Sequence, residues 1–166
     1  MSSQEESNYS FIIGDKKFEE FIDDLNDGSV LAIILRAHLY IESKLLRLLE
    51  LSFKRPKELD LNKMNFSMKV KLLAAMDVLT IFERESINNL NKIRNKLAHD
   101  LNYEVSQDDI EDLLKFEHVT RKQLISTLGS NDDLLLTLRA LLSFIYVDLE
   151  YKITKYENGE HLTDQF

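Results

Sequence analysis

The stretch VLAIILRAHLYIESKLLRLLELSF, residues 30–53, decides the fold because it is apolar around most of the circumference of a helix. With successive residues about 100° apart on a helix, two stripes run along its length. They are Val30, Ile34, Ala37, Ile41, Leu45 and Leu48, and Leu31, Leu35, His38, Glu42, Leu46, Leu49 and Phe53. A helix that is apolar on nearly every side is buried against more than one neighbour. We therefore expect it in the middle of an all-α helical bundle, with one side available to a second copy in a twofold homodimer.

Helical periodicity continues on both sides of this stretch. The scarce glycines and the single proline divide the chain into helical segments. The first three predicted helices cover residues 16–25, 30–53 and 68–79. Three more begin at Thr80, Ser106 and Asn131. No stretch alternates as a strand does. The sequence predicts one helical domain over residues 15–158, between a flexible N-terminus (1–14) and a flexible tail (159–166).

Capping residues mark several of the predicted helix starts. Ser29 and Ser67 are the expected N-caps of the second and third helices, and Thr80 and Glu83 have the spacing of a capping box. Residues expected to face the core from the fourth helix are Ile87, Leu90, Ile93, Leu97 and Leu101. The last helix is expected to be buried over its first half.

Composition excludes several classes of protein. Without cysteine the chain has no disulfide, no thiol nucleophile and no cysteine-ligated metal. Its first ten residues lack the basic and apolar regions of a signal peptide. The most apolar run, residues 134–147, contains Arg139 and is too short for a bilayer. We expect a cytoplasmic protein without a membrane segment.

The net charge of −8 argues against general nucleic-acid binding, but the charge is unevenly distributed. Residues 36–71 carry nine Lys or Arg against four acids, a local charge of +5. This block precedes the fourth helix, so it could attract an anion there. The alternative is that its cations simply coat exposed helix faces.

The hexapeptide Arg94-Asn95-Lys96-Leu97-Ala98-His99 is the main candidate site. It combines a permanent cation, an amide and a residue that accepts a proton near neutral pH. Those groups can cleave RNA without a metal. Arg94 and His99 are five residues apart, roughly 140° around a helix, so a composite site would need two copies across a twofold axis. The alternative is structural, with Arg94 paired to an acid and His99 at a favourable helix end.

Other polar residues could support this site. His38 and Glu42, four apart on an apolar stripe, could form a buried pair behind it or could simply satisfy each other in the core. Lys69 and Lys71 open the third helix, where cations are unfavourable unless an anion binds there. With Lys92 they are the candidate RNA or phosphate contacts, although all three could equally be ordinary surface lysines. No metal-binding motif is present.

The spacing of Arg94, Asn95 and His99 on a late helix resembles the HEPN superfamily. Active members are metal-independent endoribonucleases, many of them toxins or defence effectors, whose dimers build the catalytic site. The resemblance implies that Arg94, Asn95 and His99 are catalytic and that no cofactor is required. Some toxin members carry a tyrosine two positions after the histidine, where this chain has Leu101; its Tyr103 comes two residues later.

A wider stretch is similar to the mannitol operon repressor family. It comprises KFEEFIDDLNDGSVL, FKRPKELD, NFSMKVKLLAAMDVL and LNYEVSQDDIEDLL, within roughly residues 17–114. This second resemblance implies a HEPN-like helical fold in a regulator that lacks an obvious DNA-reading helix-turn-helix.

Two functional hypotheses follow from these resemblances. The first is a dimeric RNA-processing protein, a metal-independent endoribonuclease of toxin or defence type, with RNA and an antitoxin as partners. The second is a non-catalytic transcriptional regulator that acts through a regulatory protein partner. In the second case the Arg94–His99 segment is an interface element rather than an active site.

Overall fold

The computed structural model describes residue 12 and residues 15–114 and 134–159. In that part of the chain the protein is an all-α bundle, as the sequence predicted, with six helices and no strand. The helices are α1 (Lys16–Asn26), α2 (Val30–Ser52), α3 (Phe66–Ala75), α4 (Ile81–His99), α5 (Gln107–Leu114) and α6 (Leu134–Glu157). Two short 3-10 turns, Pro56–Glu58 and Leu61–Lys63, connect α2 to α3. Of the predicted flexible ends, only Ile12 and Gly159 fall within the described residues.

Helix α2 is the central element of the bundle. It packs most extensively against α6 and also contacts α1, α3 and α4. The first stripe is fully buried from Ile34 to Leu48, as expected, and its first residue, Val30, is half buried. The second stripe is divided, because His38 and Leu49 are buried whereas Leu31 is exposed. An apolar line of α2 is therefore partly exposed, beginning at Leu31.

Helices α2 and α6 run side by side in the same direction. Arg139, near the start of α6, donates from Nε to the carbonyl oxygen of Leu25, just before α2 begins. Further along, Lys44 pairs with Glu150, and Arg47 pairs with Glu157. Burial on α6 continues to Tyr156, so the expectation that only its first half is buried is wrong. The length of α2 explains this, because it covers α6 nearly to its end.

The turn between α1 and α2 follows the sequence prediction. Gly28 has a φ of 107°, a conformation that residues with a Cβ rarely adopt, and Ser29 caps α2 by accepting from the amide of Ala32. Arg36 donates to the carbonyl oxygens of Asp24 and Asp27 at 2.8 Å. This arginine satisfies carbonyls at the end of α1 that have no partner within the helix.

Helix α3 differs from its prediction at both ends. Asn65, rather than Ser67, is its N-cap, and its Oδ1 accepts from the amide of Met68 at 2.9 Å. The helix ends at Ala75 rather than Leu79, because Asp77 adopts a φ of 56° and reverses the chain. Ser67 is therefore inside the first turn, where its hydroxyl is free to bond elsewhere.

Helix α4 begins at the predicted capping box and presents most of its predicted core residues. Thr80 and Glu83 exchange side-chain and backbone hydrogen bonds. Ile87, Leu90 and Ile93 are buried, but Leu101 is fully exposed, contrary to the prediction. The helix ends at His99, and the following turn carries Leu101 out of the helical register into solvent. None of the described helices combines the length and the apolar character needed to span a membrane.

Candidate functional site

Arg94 is half buried and unusually placed for a charged residue. Its Nη1 donates to Oδ1 of Asn95 at 3.1 Å, while its Nε is buried and has no hydrogen-bond partner. Within residues 15–114 and 134–159 it forms no ion pair with a carboxylate. A buried donor without a partner costs about 1–3 kcal/mol, so such a group requires an explanation. The structural alternative, in which Arg94 pairs with an acid, finds no support among the described residues.

His99 is the last residue of α4 and is exposed. The amide of Asp100 still donates to the carbonyl oxygen of Lys96, so the helix is intact through His99. Because α4 is continuous, Arg94 and His99 project from it roughly 140° apart. One helix therefore cannot easily direct both side chains to one phosphate. The composite site across a dimer stays a prediction.

The segment that follows His99 is fixed by Asp109. Its Oδ2 accepts from the hydroxyl of Tyr103 and from the amide and hydroxyl of Ser106, and its Oδ1 pairs with Lys96 at 3.0 Å. Burial opposes the charged carboxylate, but the bonds from Tyr103, Ser106 and Lys96 outweigh it and hold the pKa of Asp109 well below its usual range. The cluster ties the end of α4 to the start of α5. The sequence predicted a helix start at Ser106, but the bonds of Asp109 to Ser106, Tyr103 and Lys96 were not foreseen.

A second polar cluster joins three helices around Asn91. Oδ1 of Asn91 accepts from Nε2 of His38 at 3.1 Å, and Nδ2 donates to Oγ of Ser67 at 3.3 Å. The ring of His38 stacks on Phe66, with centroids 4.1 Å apart. Asn91 therefore bridges α2 and α3 from α4, one helical turn before Arg94 and Asn95. Helical spacing puts Asn91 on the same helix as Arg94, but the sequence could not assign it partners on other helices.

Buried Lys69 forms an ion pair with half-buried Glu42 beside this cluster. The ammonium of Lys69 lies 2.6 Å from Oε1 of Glu42, and its side chain is only 5% exposed. The sequence suggested that Glu42 would pair with His38 and that Lys69 would be open to phosphate. The structure instead bonds these two residues to each other, and His38 to Asn91. Lys69 is a structural cation in this chain, whereas Lys71 and Lys92 are exposed.

Burial, followed by the charges of Arg94 and Lys69, lowers the pKa of His38. The hydrogen bond to Asn91 and the charge of Glu42 act in the opposite direction but do not compensate. Arg94 follows Asn91, the hydrogen-bond partner of His38, by three residues on α4, so the side chains of Arg94 and Asn91 are neighbours on that helix. Two hydrogen-bonded pairs, His38 with Asn91 and Arg94 with Asn95, therefore lie one helical turn apart along α4, with His99 further along the helix.

Ion pairs use much of the basic block at residues 36–71. Lys44, Arg47, Lys63 and Lys69 bind carboxylates, and Arg36 binds carbonyls of α1. In the part of the chain that the structure describes, the cations of the block that bind neither a carboxylate nor a carbonyl are Lys54, Arg55, Lys57 and Lys71. The surface available to an anion is thus smaller than the sequence charge indicates. Lys92 donates to Oδ1 of Asn89 at 2.9 Å.

Exposed apolar residues adjoin the candidate site in sequence. Leu39 follows His38 and is 66% exposed, and Met68 follows Ser67 and is 45% exposed. Leu101 lies two residues after His99 and is also exposed. Exposed apolar side chains near polar functional groups are typical of protein interfaces.

The other two histidines of the chain, His118 and His161, lie outside the described residues. Among the residues that the structure describes, no three His, Asp or Glu side chains are grouped as metal ligands. Comparisons of the chain with protein-family models, with curated proteins and with solved structures find no match.

Proposed function

We propose that the chain is a HEPN-like RNA-processing protein, a metal-independent endoribonuclease whose composite site is completed by dimerisation. The observation that carries this proposal is the guanidinium of Arg94. It is half buried, it has no carboxylate partner among residues 15–114 and 134–159, and its Nε has no acceptor. An RNA phosphate would supply the missing negative charge, bound through the terminal nitrogens of the guanidinium.

The proposed reaction uses the substrate's own hydroxyl group. His99 accepts the proton of a ribose 2′-hydroxyl, whose oxygen attacks the adjacent phosphorus. The bond from phosphorus to the 5′-oxygen breaks, and that oxygen takes a proton from a histidine acting as acid. The products are a 2′,3′-cyclic phosphate and a free 5′-hydroxyl. Arg94 stabilises the charge that develops on the phosphoryl oxygens, and Asn95 holds Arg94 in place through its 3.1 Å bond. The chemistry requires no cofactor.

A homodimer is part of the proposal because one α4 directs Arg94 and His99 to different sides. The exposed line of α2, which includes Leu31 and Leu39, is the proposed interface. We expect Leu39→Asp to convert a dimer into a monomer in sedimentation experiments, because a carboxylate would be desolvated at the contact. A wild-type protein that sediments as a monomer at micromolar concentration would remove the basis for a composite site.

The alternative is a non-catalytic, mannitol operon repressor-like regulator that acts through protein contacts. The net charge of −8 and the exposed neighbours Ile81 and Phe82 favour it. If the chain is instead the proposed nuclease, it acts in the cytoplasm on RNA. Its partner is then an antitoxin or another regulatory protein. The two functions differ in whether RNA is cut.

The test is an RNA cleavage assay in the presence of EDTA. The proposal predicts cleavage that persists in EDTA and leaves 2′,3′-cyclic phosphate ends, which mass spectrometry of the products identifies. His99→Ala and Arg94→Ala should each reduce the rate by about 10²–10⁴-fold. Wild-type protein that never cuts RNA would favour the regulator.

A matched control lies on the same helix. Arg84 is half buried and pairs with Glu85 at 2.7 Å, so Arg84→Ala removes an arginine from α4 without touching the site. We expect this variant to retain full cleavage. A similar loss in Arg84→Ala and Arg94→Ala would point to general RNA attraction rather than a role for Arg94 in the reaction.

A further inference from the structure

His99 lies at a position where a helix is least rigid. It is the last residue of α4, it is exposed, and the terminal turns of helices open more readily than their interiors. A general base, the role proposed for His99, must be held within about 0.5 Å of its productive position. Contacts from outside α4 are therefore needed to keep its last turn closed.

Asp109 receives bonds from both sides of His99 in the chain. Before His99, in the last turn of α4, Nζ of Lys96 lies 3.0 Å from Oδ1 of Asp109. After His99, the hydroxyl of Tyr103 donates to Oδ2 of the same carboxylate. Ser106 fixes the carboxylate itself, through its amide at 2.9 Å and its hydroxyl at 2.8 Å. We refer to Lys96, Tyr103, Ser106 and Asp109 as the Asp109 clamp.

The backbone between the two ends of the clamp is hydrogen-bonded as well. The amide of Asp100 donates to the carbonyl oxygen of Lys96 at 2.9 Å, and the amide of Tyr103 donates to the carbonyl oxygen of Asp100 at 3.2 Å. Oδ1 of Asp100 accepts from the amide of Asn102 at 2.9 Å. Backbone bonds thus support the turn that leaves α4, and the clamp joins the two ends of that turn.

The contacts on the two sides of His99 differ in strength. The side chain of Lys96 is 54% exposed, and exposed ion pairs contribute little to stability. The side chain of Asp109 is only 10% exposed, so water screens its bond from the hydroxyl of Tyr103 much less. Nζ of Lys96 also lies 5.2 Å from the centre of the Tyr103 ring. Tyr103 therefore provides the stronger contact to Asp109 and gives Lys96 a second partner.

We propose that Asp109 and Tyr103 are positioning residues for His99, and that they hold the last turn of α4 in the conformation from which the imidazole reaches the substrate. Both act through α4 rather than on RNA. This inference rests on the proposed function, because positioning matters only if His99 takes part in a reaction. The bonds of the clamp hold the pKa of Asp109 well below its usual range, so the carboxylate stays charged where a histidine titrates.

Tyr103→Phe tests the clamp with the smallest change. It removes the hydroxyl that donates to Asp109 and keeps the aromatic ring beside Lys96. We expect kcat for RNA cleavage to fall about 10–100-fold with KM unchanged, because a misplaced base slows the reaction without weakening binding. The midpoint of the pH profile should not move, since His99 is still the base. Asp109→Asn should change kcat in the same direction.

Hydrogen exchange measured by NMR reports on the clamp without RNA. In Tyr103→Phe the amide of Asp100 should exchange about ten-fold faster than in the wild type, because the last turn of α4 opens more often. At the other end of α4, the amide of Arg84 donates to the carbonyl oxygen of Thr80 at 3.0 Å. That amide should exchange at the wild-type rate.

The matched control is Thr80→Ala, which removes the capping box at the start of the same helix. Loss of an N-cap destabilises a protein by an amount similar to the loss of one hydrogen bond. We expect this variant to exchange faster at Arg84 and to cleave RNA with the wild-type kcat. It separates positioning of His99 from a general loss of stability in α4.

Each contrary result has a different meaning. Equal losses of kcat in Thr80→Ala and Tyr103→Phe, or an unchanged kcat in Tyr103→Phe, would overturn the positioning role. Unchanged exchange at Asp100 in Tyr103→Phe would overturn the clamp itself. A wild-type protein that never cuts RNA would reject the proposed function and, with it, the positioning role. The exchange rates would then still show whether the clamp holds α4, so the two failures are distinguishable.

Discussion

The two sides of α2 differ in how their charges are paired. Toward α6, Lys44 lies 2.5 Å from Glu150 and Arg47 lies 2.8 Å from Glu157, so each cation has a carboxylate. Toward α3 and α4, Lys69 is paired with Glu42 but Arg94 is not paired within the described chain. The ion pairs on the first side stabilise the fold. On the second side, Arg94 lowers stability because it has no carboxylate partner within the described chain, which is typical of a functional site.

The largest stability loss is expected where α2 packs into the main core. Leu45 is fully buried in the face of α2 that belongs to the main core. Leu45→Ala should lower the free energy of unfolding by about 2–5 kcal/mol, because it leaves a cavity in a packed interior. Urea denaturation measures the loss. Ile81→Ala, at an exposed residue, is the control and should change it by less than about 0.5 kcal/mol.

On the other side of α2 the ion pair should matter nearly as much. Glu42→Ala leaves the ammonium of Lys69 buried without a partner, so we expect a loss of about 3 kcal/mol in the same denaturation experiment. The double variant Glu42→Leu/Lys69→Met should recover most of that loss, because no buried charge remains. If Glu42→Ala were as stable as the wild type, the ammonium of Lys69 would have to reach solvent.

A smaller effect is expected where the chain leaves α4. Asp109→Asn should cost about 1–3 kcal/mol at neutral pH, since it weakens charge-assisted bonds from Tyr103, Ser106 and Lys96. The pKa of Asp109 is lowered in the folded state, so its contribution is complete above the ordinary aspartate value of about 4. It is lost progressively as pH falls below that value. Denaturation midpoints of the two proteins should therefore converge at low pH, and a constant difference would contradict the assignment.

The smallest stability effect is expected at Arg94. This effect distinguishes the α6 side of α2 from the side that faces α3 and α4 most clearly. Arg94→Met should leave the free energy of unfolding within about 0.5 kcal/mol of the wild type or increase it, because a donor without an acceptor is removed. Lys44→Met is the matched variant and should be clearly destabilising, since it leaves Glu150 unpaired. If Arg94→Met were the more destabilising of the two, Arg94 would be a structural residue.

Local signals in the sequence were sufficient to predict most helix boundaries. Ser29 and the Thr80–Glu83 capping box act within four residues, and both are confirmed. The start of α3 was misplaced because Asn65 and Ser67 are both good caps, and sequence alone does not rank them in context. Leu101 was misplaced because helical periodicity was extended beyond the end of α4 at His99.

The candidate site was only partly predictable, for a physical reason. The angles and distances between side chains on one helix are fixed by helical geometry. Arg94, Asn95 and Asn91 could therefore be placed on α4 from their spacing alone. Partners on different helices depend on how the helices pack. That is why Glu42 was assigned to His38, although its partner is Lys69, 27 residues away. For the same reason the bridge from Asn91 to Ser67 could not be foreseen.

The most direct test of a composite Arg94–His99 site is a complementation assay that mixes two inactive variants. Arg94→Ala and His99→Ala are refolded together in equal amounts, and RNA cleavage is compared with that of each variant alone. If each site takes its arginine and histidine from different subunits, half of the dimers are mixed and each has one intact site. The account predicts recovery to about a quarter of the wild-type rate. Mixed protein that forms dimers but stays as inactive as either variant would contradict it.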